Sequence, residues 1–200
     1  MGAGMNRTAE IKRKTKETDI ALTLSIDGTG KSKITSGIGF FDHMLEGFAR
    51  HGFFDLTVSV NGDLHVDGHH TVEDTGIVLG QAVKEAVGNK SGIRRYGFFI
   101  LPMDDALCLC AVDLCGRPYL DFSCEWKAEH VGALDTELIK EFFQAVSYSA
   151  GMNIHIQMLA GENTHHMAEA MFKAFGKALD MATGTDERIQ DVLSTKGSLA

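Results

Sequence analysis

From Ile20 to Ile26 apolar and polar residues alternate, with Ile20, Leu22, Leu24 and Ile26 on one face and Ala21, Thr23 and Ser25 on the other. That period of two predicts a strand. The turn Asp27-Gly28-Thr29-Gly30 ends it, and Lys31 to Thr35 reads as a short second strand. Phe40 to Arg50 then switches to a helical stripe, apolar at 40, 41, 44, 45 and 48 and closed by His51-Gly52. Phe53 to Val60 alternates as a strand, and a helical pattern carrying Val72, Leu79, Val83 and Val87 follows. The order then recurs. Leu107 to Val112 predicts a strand, Leu138 to Ala150 a helix closed by Gly151, and Met152 to Leu159 a strand. A last helix carries Ala168, Met171, Phe172, Phe175, Leu179 and Ala182.

The recurrence extends to particular residues. Both final helices open on the pattern HHxxE, as His69-His70-Thr71-Val72-Glu73 and His165-His166-Met167-Ala168-Glu169, an offset of 96 (165 − 69). At that offset Gly80 falls on Gly176, Ala82 on Ala178 and Gly88 on Gly184. The first turn repeats at 86, with Asp27 on Asp113, Gly30 on Gly116 and Lys31 on Arg117, and Gly52 and Gly151 differ by 99. A whole strand-helix-strand-helix unit is therefore duplicated, which predicts an α+β fold. The expected division is a flexible N-terminus over 1–12, a first half over 13–95, a second half over 96–186 and a polar tail over 187–200, all in one catalytic domain.

Composition narrows the class. With 44% hydrophobic and 23% charged residues in 200, the chain reads as an ordinary globular protein with a real core. A net charge of −8 argues against a nucleic-acid binder. No apolar run has the length of a membrane span, and no signal peptide opens the chain. Cys108 and Cys110 alternate with Leu107 and Leu109, so they read as small apolar residues on one strand face; with Cys115 and Cys124 they make no zinc-ribbon spacing. Reduced thiols and a cytoplasmic location are expected. The phosphate-binding glycine loops and the GxSxG elbow are absent.

The chemistry resides in imidazoles. On a helix, residues four apart share a face, so His69 pairs with Glu73 and His165 with Glu169, while His70 and His166 point about 100° away. A lone HHxxE is usually a helix start with two surface histidines; two copies point to metal ligands. His43 lies off its helix's apolar stripe, and His155 stands between Ile154 and Ile156, an odd place for an imidazole without a partner. Counting both gives His43, His69, His70, Glu73, His155, His165, His166 and Glu169, which divide evenly into two sites of three histidines and one glutamate. Such sets leave coordination positions open for catalysis and suit zinc, manganese, iron or cobalt.

The segments GIGFFDHML (37–45), DGHHTVEDTGIVLGQA (67–82), GIRRYG (92–97), PMDDAL (102–107), VDLCGRPYLDF (112–122) and GENTHHMAEAMFKAFGKAL (161–179) resemble imidazoleglycerol-phosphate dehydratase, from about Arg13 to Gly197. The resemblance implies two sheets packed on a central helix layer and two Mn2+ ions per active site, bound by the eight groups above and lying between subunits. It implies trimers that assemble into a 24-mer. The implied reaction dehydrates D-erythro-imidazole glycerol phosphate, a small phosphorylated imidazole, to imidazole acetol phosphate through a metal-bound imidazolate and a diazafulvene-like intermediate, in L-histidine biosynthesis.

By the same resemblance Glu17 and Glu169 are the acid/base candidates. Glu17, His43, His51, Arg95, Arg117, Lys173, Ser194 and Lys196 would bind substrate, the cations and Ser194 through its phosphate. One departure is Gly47, where the family often has Gln. Two rival readings are another metal-dependent enzyme on the scaffold, such as a hydrolase, and a metal-storage shell. The second fits poorly, because storage sites of the ferritin kind use ExxH on all-helical bundles.

Overall fold

A computed structural model describes residues 7–199. The first half forms β1 (Thr8–Lys14), β2 (Thr18–Ser25), β3 (Ser32–Thr35), α1 (Gly39–His51), β4 (Asp55–Gly62) and α2 (His69–Val87). The second forms β5 (Tyr96–Met103), β6 (Ala106–Asp113), β7 (Tyr119–Ser123), the short pair β8 (His130–Val131) and β9 (Leu134–Asp135), then α3 (Glu137–Ala150), β10 (Asn153–Ala160) and α4 (Thr164–Thr183). The sheets run β1-β2-β4-β3 and β5-β6-β10-β7. In each, the first three neighbours pair antiparallel and the last strand, β3 or β7, joins in parallel. The duplication thus holds in topology and pairing sense. The β8-β9 hairpin, inserted before α3, is where the repeat offset grows from 86 to 99.

The helices lie between the sheets and pack across the halves. α2 packs on α3, α1 packs on α4, α2 covers β1 and β2, and α4 covers β5 and β6. Phenylalanines fill the layer: Phe41 meets Phe142 edge-on at 5.4 Å, Phe48 stacks on Phe175 at 5.3 Å and Phe142 on Phe172 at 5.2 Å. These five rings and that of Phe143 are fully buried. Glycine permits the close helix approach. A Cβ at Gly80 would lie 2.6 Å from the Val146 carbonyl oxygen of α3, and one at Gly176 would lie 2.6 Å from the Phe48 carbonyl oxygen of α1. The repeated Gly80/Gly176 pair therefore marks the two helix crossings.

The expected flexible start needs correction over residues 8–12; residues 1–6 lie outside the described residues. Thr8–Lys14 is an edge strand in register with β2, from Thr8 opposite Ser25 to Lys14 opposite Asp19. Its sequence is polar because only Ala9 is fully buried on it. Ions hold it instead: Arg13 Nη1 stands 2.5 Å from the buried Asp74 Oδ2, and Arg7 grips Asp27 through Nε (2.9 Å) and Nη2 (2.5 Å). The second half repeats that clip. Arg95, again the residue before a first strand, donates to Asp113 through Nε at 2.7 Å and Nη2 at 3.1 Å. Strands β5 and β7 also escaped the alternation pattern: β5 is a continuous apolar run and β7 only five residues. Among the described residues no helix is long and apolar enough to cross a membrane.

Candidate metal centre

Both HHxxE segments start their helices for the same local reason. A side-chain oxygen two residues before the first histidine accepts its backbone N–H: Asp67 Oδ1 from His69 at 2.8 Å, and Asn163 Oδ1 from His165 at 2.9 Å. Both oxygens satisfy donors that a helix start leaves open, Asn163 as the N-cap of α4 and Asp67 from one residue before the Gly68 N-cap of α2. The imidazoles then fall on the first turn, and each first histidine faces the glutamate four residues on. His69 Nε2 stands 3.7 Å from Glu73 Oε2, and His165 Nε2 stands 3.5 Å from Glu169 Oε2.

Beyond that the two helices differ. Because α1 packs on α4, His43 reaches the second pair, with Nε2 3.8 Å from Glu169 Oε1. His43, His165 and Glu169 each offer a ligand atom within 4.8 Å of the others, and they are the one such group found among the described residues. Two ligands about 2.1 Å from one ion stand about 3–4 Å apart. The donor set and spacing therefore fit a divalent cation. The Phe40 ring backs His165 at 4.9 Å. Lys173 Nζ lies 2.7 Å from Glu169 Oε1. Burial opposes ionisation of Glu169, but that ammonium and the imidazoles of His43 and His165 outweigh it and hold the carboxyl below its ordinary range.

The other five expected ligands stand in separate groups. The even division into two sites of four is thus not assembled within one chain. His69 and Glu73 form a half-buried pair on α2; its partner helix α3 has no histidine. His70 has Nδ1 3.0 Å from Asp63 Oδ2 and Nε2 3.8 Å from Glu17 Oε1. His166 has Nδ1 2.6 Å from Asp105 Oδ1 and Nε2 3.6 Å from Asp104 Oδ2. Each of these histidines is raised above its usual pKa first by the aspartate on Nδ1. The hydrogen bond from His70 lowers Asp63; that from His166, followed by the Asn163 and Glu162 N–H groups, lowers Asp105 strongly. The two halves match here too, since Glu17 lies in the β1-β2 turn and Asp104 in the β5-β6 turn. His155 is not wedged between isoleucines: Ile154 and Ile156 point inward, and the imidazole stands on the outer sheet face beside Asp121 Oδ2 at 3.4 Å.

The expected substrate groups are scattered as well. His51 closes α1, and burial together with the Lys173 and Lys177 charges lowers its pKa against the pull of Glu169. Arg95 is committed: besides Asp113, its Nη1 donates to the Leu193 carbonyl at 2.8 Å and so ties down the tail that carries Ser194 and Lys196. Ser194 Oγ accepts from the Lys196 backbone N–H. Arg117 is exposed just after Gly116, at φ +89°. Gly47 faces Lys173, whose Cγ would lie 3.8 Å from a Cβ there. Sequence reasoning passed over Asp63, Asp105 and Asp121. Asp105 sits inside PMDDAL, but 61 residues separate it from His166, and only the fold closes that gap.

The family model described as imidazoleglycerol-phosphate dehydratase matches residues 36–179. A relative of that name from Lachnoclostridium phytofermentans is 66% identical over 195 residues, covering 98% of this chain and 100% of its own. One from Acetivibrio thermocellus is 60% identical with the same coverage. Among solved structures, the imidazoleglycerol-phosphate dehydratase from Staphylococcus aureus aligns with a TM-score of 0.81 at 40% identity, covering 90% of this chain and 99% of that one. The enzyme from Pyrococcus furiosus in complex with (S)-C348 aligns at 0.82 and 39%, covering 94% and 100%.

Proposed function

The chain belongs to the imidazoleglycerol-phosphate dehydratase family, hydro-lyases of histidine biosynthesis, and on that premise we propose the substrate, cofactor and assembly with which it works. It dehydrates D-erythro-imidazole glycerol phosphate to imidazole acetol phosphate, using two Mn2+ ions held by His43, His69, His70, Glu73, His155, His165, His166 and Glu169. The observation that carries this reading is the His43–His165–Glu169 group.

When bound, the ions would supply Lewis-acid charge to the substrate's imidazole. The ring gives up its N–H proton and drives out the neighbouring hydroxyl, which leaves with a proton as water; the substrate is then in a diazafulvene-like state whose adjacent C–H is acidic and whose ring nitrogen regains a proton as that C–H is lost. Glu17, exposed at a hairpin turn and aimed at His70, takes the C–H proton. The resulting enol becomes the ketone. Glu169, already bound up with Lys173 and two imidazoles, serves as a ligand rather than a base. Arg117, Lys173, Ser194 and Lys196 receive the phosphate; Arg95 acts by holding the tail in place.

The sites close between copies of the chain. The His69–Glu73 pair has too few donors alone, and His155 projects from the second sheet's outer face, where Tyr96, Phe98, Ile100 and Tyr119 are at least half exposed. Such an apolar patch is a protein-binding surface, and a second copy that covers it carries the missing ligands. Trimers building a 24-mer would satisfy both needs. A cytoplasmic location suits the four free cysteines. The test is turnover of imidazole glycerol phosphate by metal-stripped protein before and after adding Mn2+. Restored turnover is expected; tight metal binding without turnover would overturn the substrate.

A further inference from the structure

We infer that three aspartates outside the HHxxE segments, Asp63, Asp105 and Asp121, are positioning residues that select the metal-binding nitrogen of His70, His166 and His155. This rests on the proposed function above. A carboxylate only accepts hydrogen bonds, so an imidazole Nδ1 beside one carries the proton. The lone pair is then on Nε2, and the ring is fixed in the plane of that bond. His70 meets Asp63 at 3.0 Å, His166 meets Asp105 at 2.6 Å, and His155 meets Asp121 more loosely at 3.4 Å, in each case through Nδ1.

In the other three candidate histidines the nearby carboxylate is itself an expected ligand and lies on the Nε2 side, where a shared ion would take the place of a proton. His43, His69 and His165 turn Nε2 toward Glu169 or Glu73, at 3.5–3.8 Å. Among the described residues no carboxylate lies on their Nδ1 atoms. All six imidazoles therefore present Nε2. The glutamate of each HHxxE orients the first histidine, and an aspartate from a different element orients the second. Asp63 comes from the end of β4, Asp105 from the β5-β6 turn and Asp121 from β7. Outer-shell groups of this kind typically govern metal affinity by about 10–100-fold.

Asp63 offers the cleanest test, since among the described residues its side chain hydrogen-bonds His70 alone, whereas Asp105 also accepts the backbone N–H groups of Glu162 and Asn163. The assembled full chain would be stripped of metal and titrated with Mn2+ by calorimetry and with Co2+ by visible absorption. Asp63→Ala is expected to weaken one class of site by about 10–100-fold and to alter its Co2+ bands. The metal-free melting temperature should hold. Asp63→Asn, which keeps an oxygen acceptor, should recover part of the affinity. Unchanged affinity and bands in Asp63→Ala, or in Asp121→Ala should the Asp63 variant not fold, would overturn the inference. Wild-type protein that binds neither ion would instead overturn the metal reading on which it rests.

Discussion

The two halves share one topology and differ on their outer sheet faces and in their ligand helices. Across the first sheet a row runs Glu10, Thr23, Thr57, Lys33. The matching kind of row on the second runs Phe98, Ala111, His155, Asp121, and the next Ile100, Leu109, Gln157, Ser123. The first face is dressed for water. The second is apolar, with one imidazole and one carboxylate set into it. Likewise α4 finds a third ligand in His43 of α1, while α2 faces an α3 without histidine. Duplication copied the backbone and the HHxxE turns, and divergence then left both the helix that finds a third donor and the apolar outer face in the second half. Neither half is complete as a site, which is the physical argument for assembly.

Four experiments would break or sharpen that contrast, beginning with the largest effect. His165→Ala removes a member of the assembled triad and should lower Mn2+ affinity by more than about 100-fold, beyond the loss of an outer-shell partner. In dissociated chains His69→Ala should change nothing measurable. Equal losses in dissociated chains would show that the helices do not differ. Glu17→Gln should lower kcat by about 10²–10⁴-fold while metal content and particle size hold; full turnover would remove Glu17 from the chemistry.

Phe98→Asp places a charge on the apolar face and should yield smaller particles by light scattering, whereas Thr57→Asp on the first sheet should not. An intact assembly in both would place the interface elsewhere. The smallest effects concern the paired arginine clips. Arg95→Ala should cost about 1–3 kcal/mol and Arg7→Ala about 1 kcal/mol or less by denaturant unfolding, because the Arg95 pair is more buried. The Arg7 hydrogen bond holds Asp27 below its usual pKa. Its contribution is therefore present above the unfolded value, about 3.9, and fades as pH falls toward the lowered folded one. Asp27→Asn should abolish that slope in melting temperature.

Much of this was legible in the sequence because it is local. Alternation and helical stripes located β2, β4, β6, β10 and the four helices within a residue or two, since side-chain period follows directly from backbone geometry. The repeat of HHxxE, with Gly80 and Gly176, identified the duplication, and those glycines prove to be where helices cross. Of the edge strands, β3 was legible but β1, β5 and β7 were not; β1 buries little and is held by ions whose partners are distant in the chain. The tertiary structure alone decided which ligands meet. His43 and Glu169 come together only because α1 packs on α4, and Asp105 finds His166 only because a hairpin turn closes over a helix start. Local periodicity states what each residue faces within its own element. Which distant element stands opposite is set by packing of the whole chain.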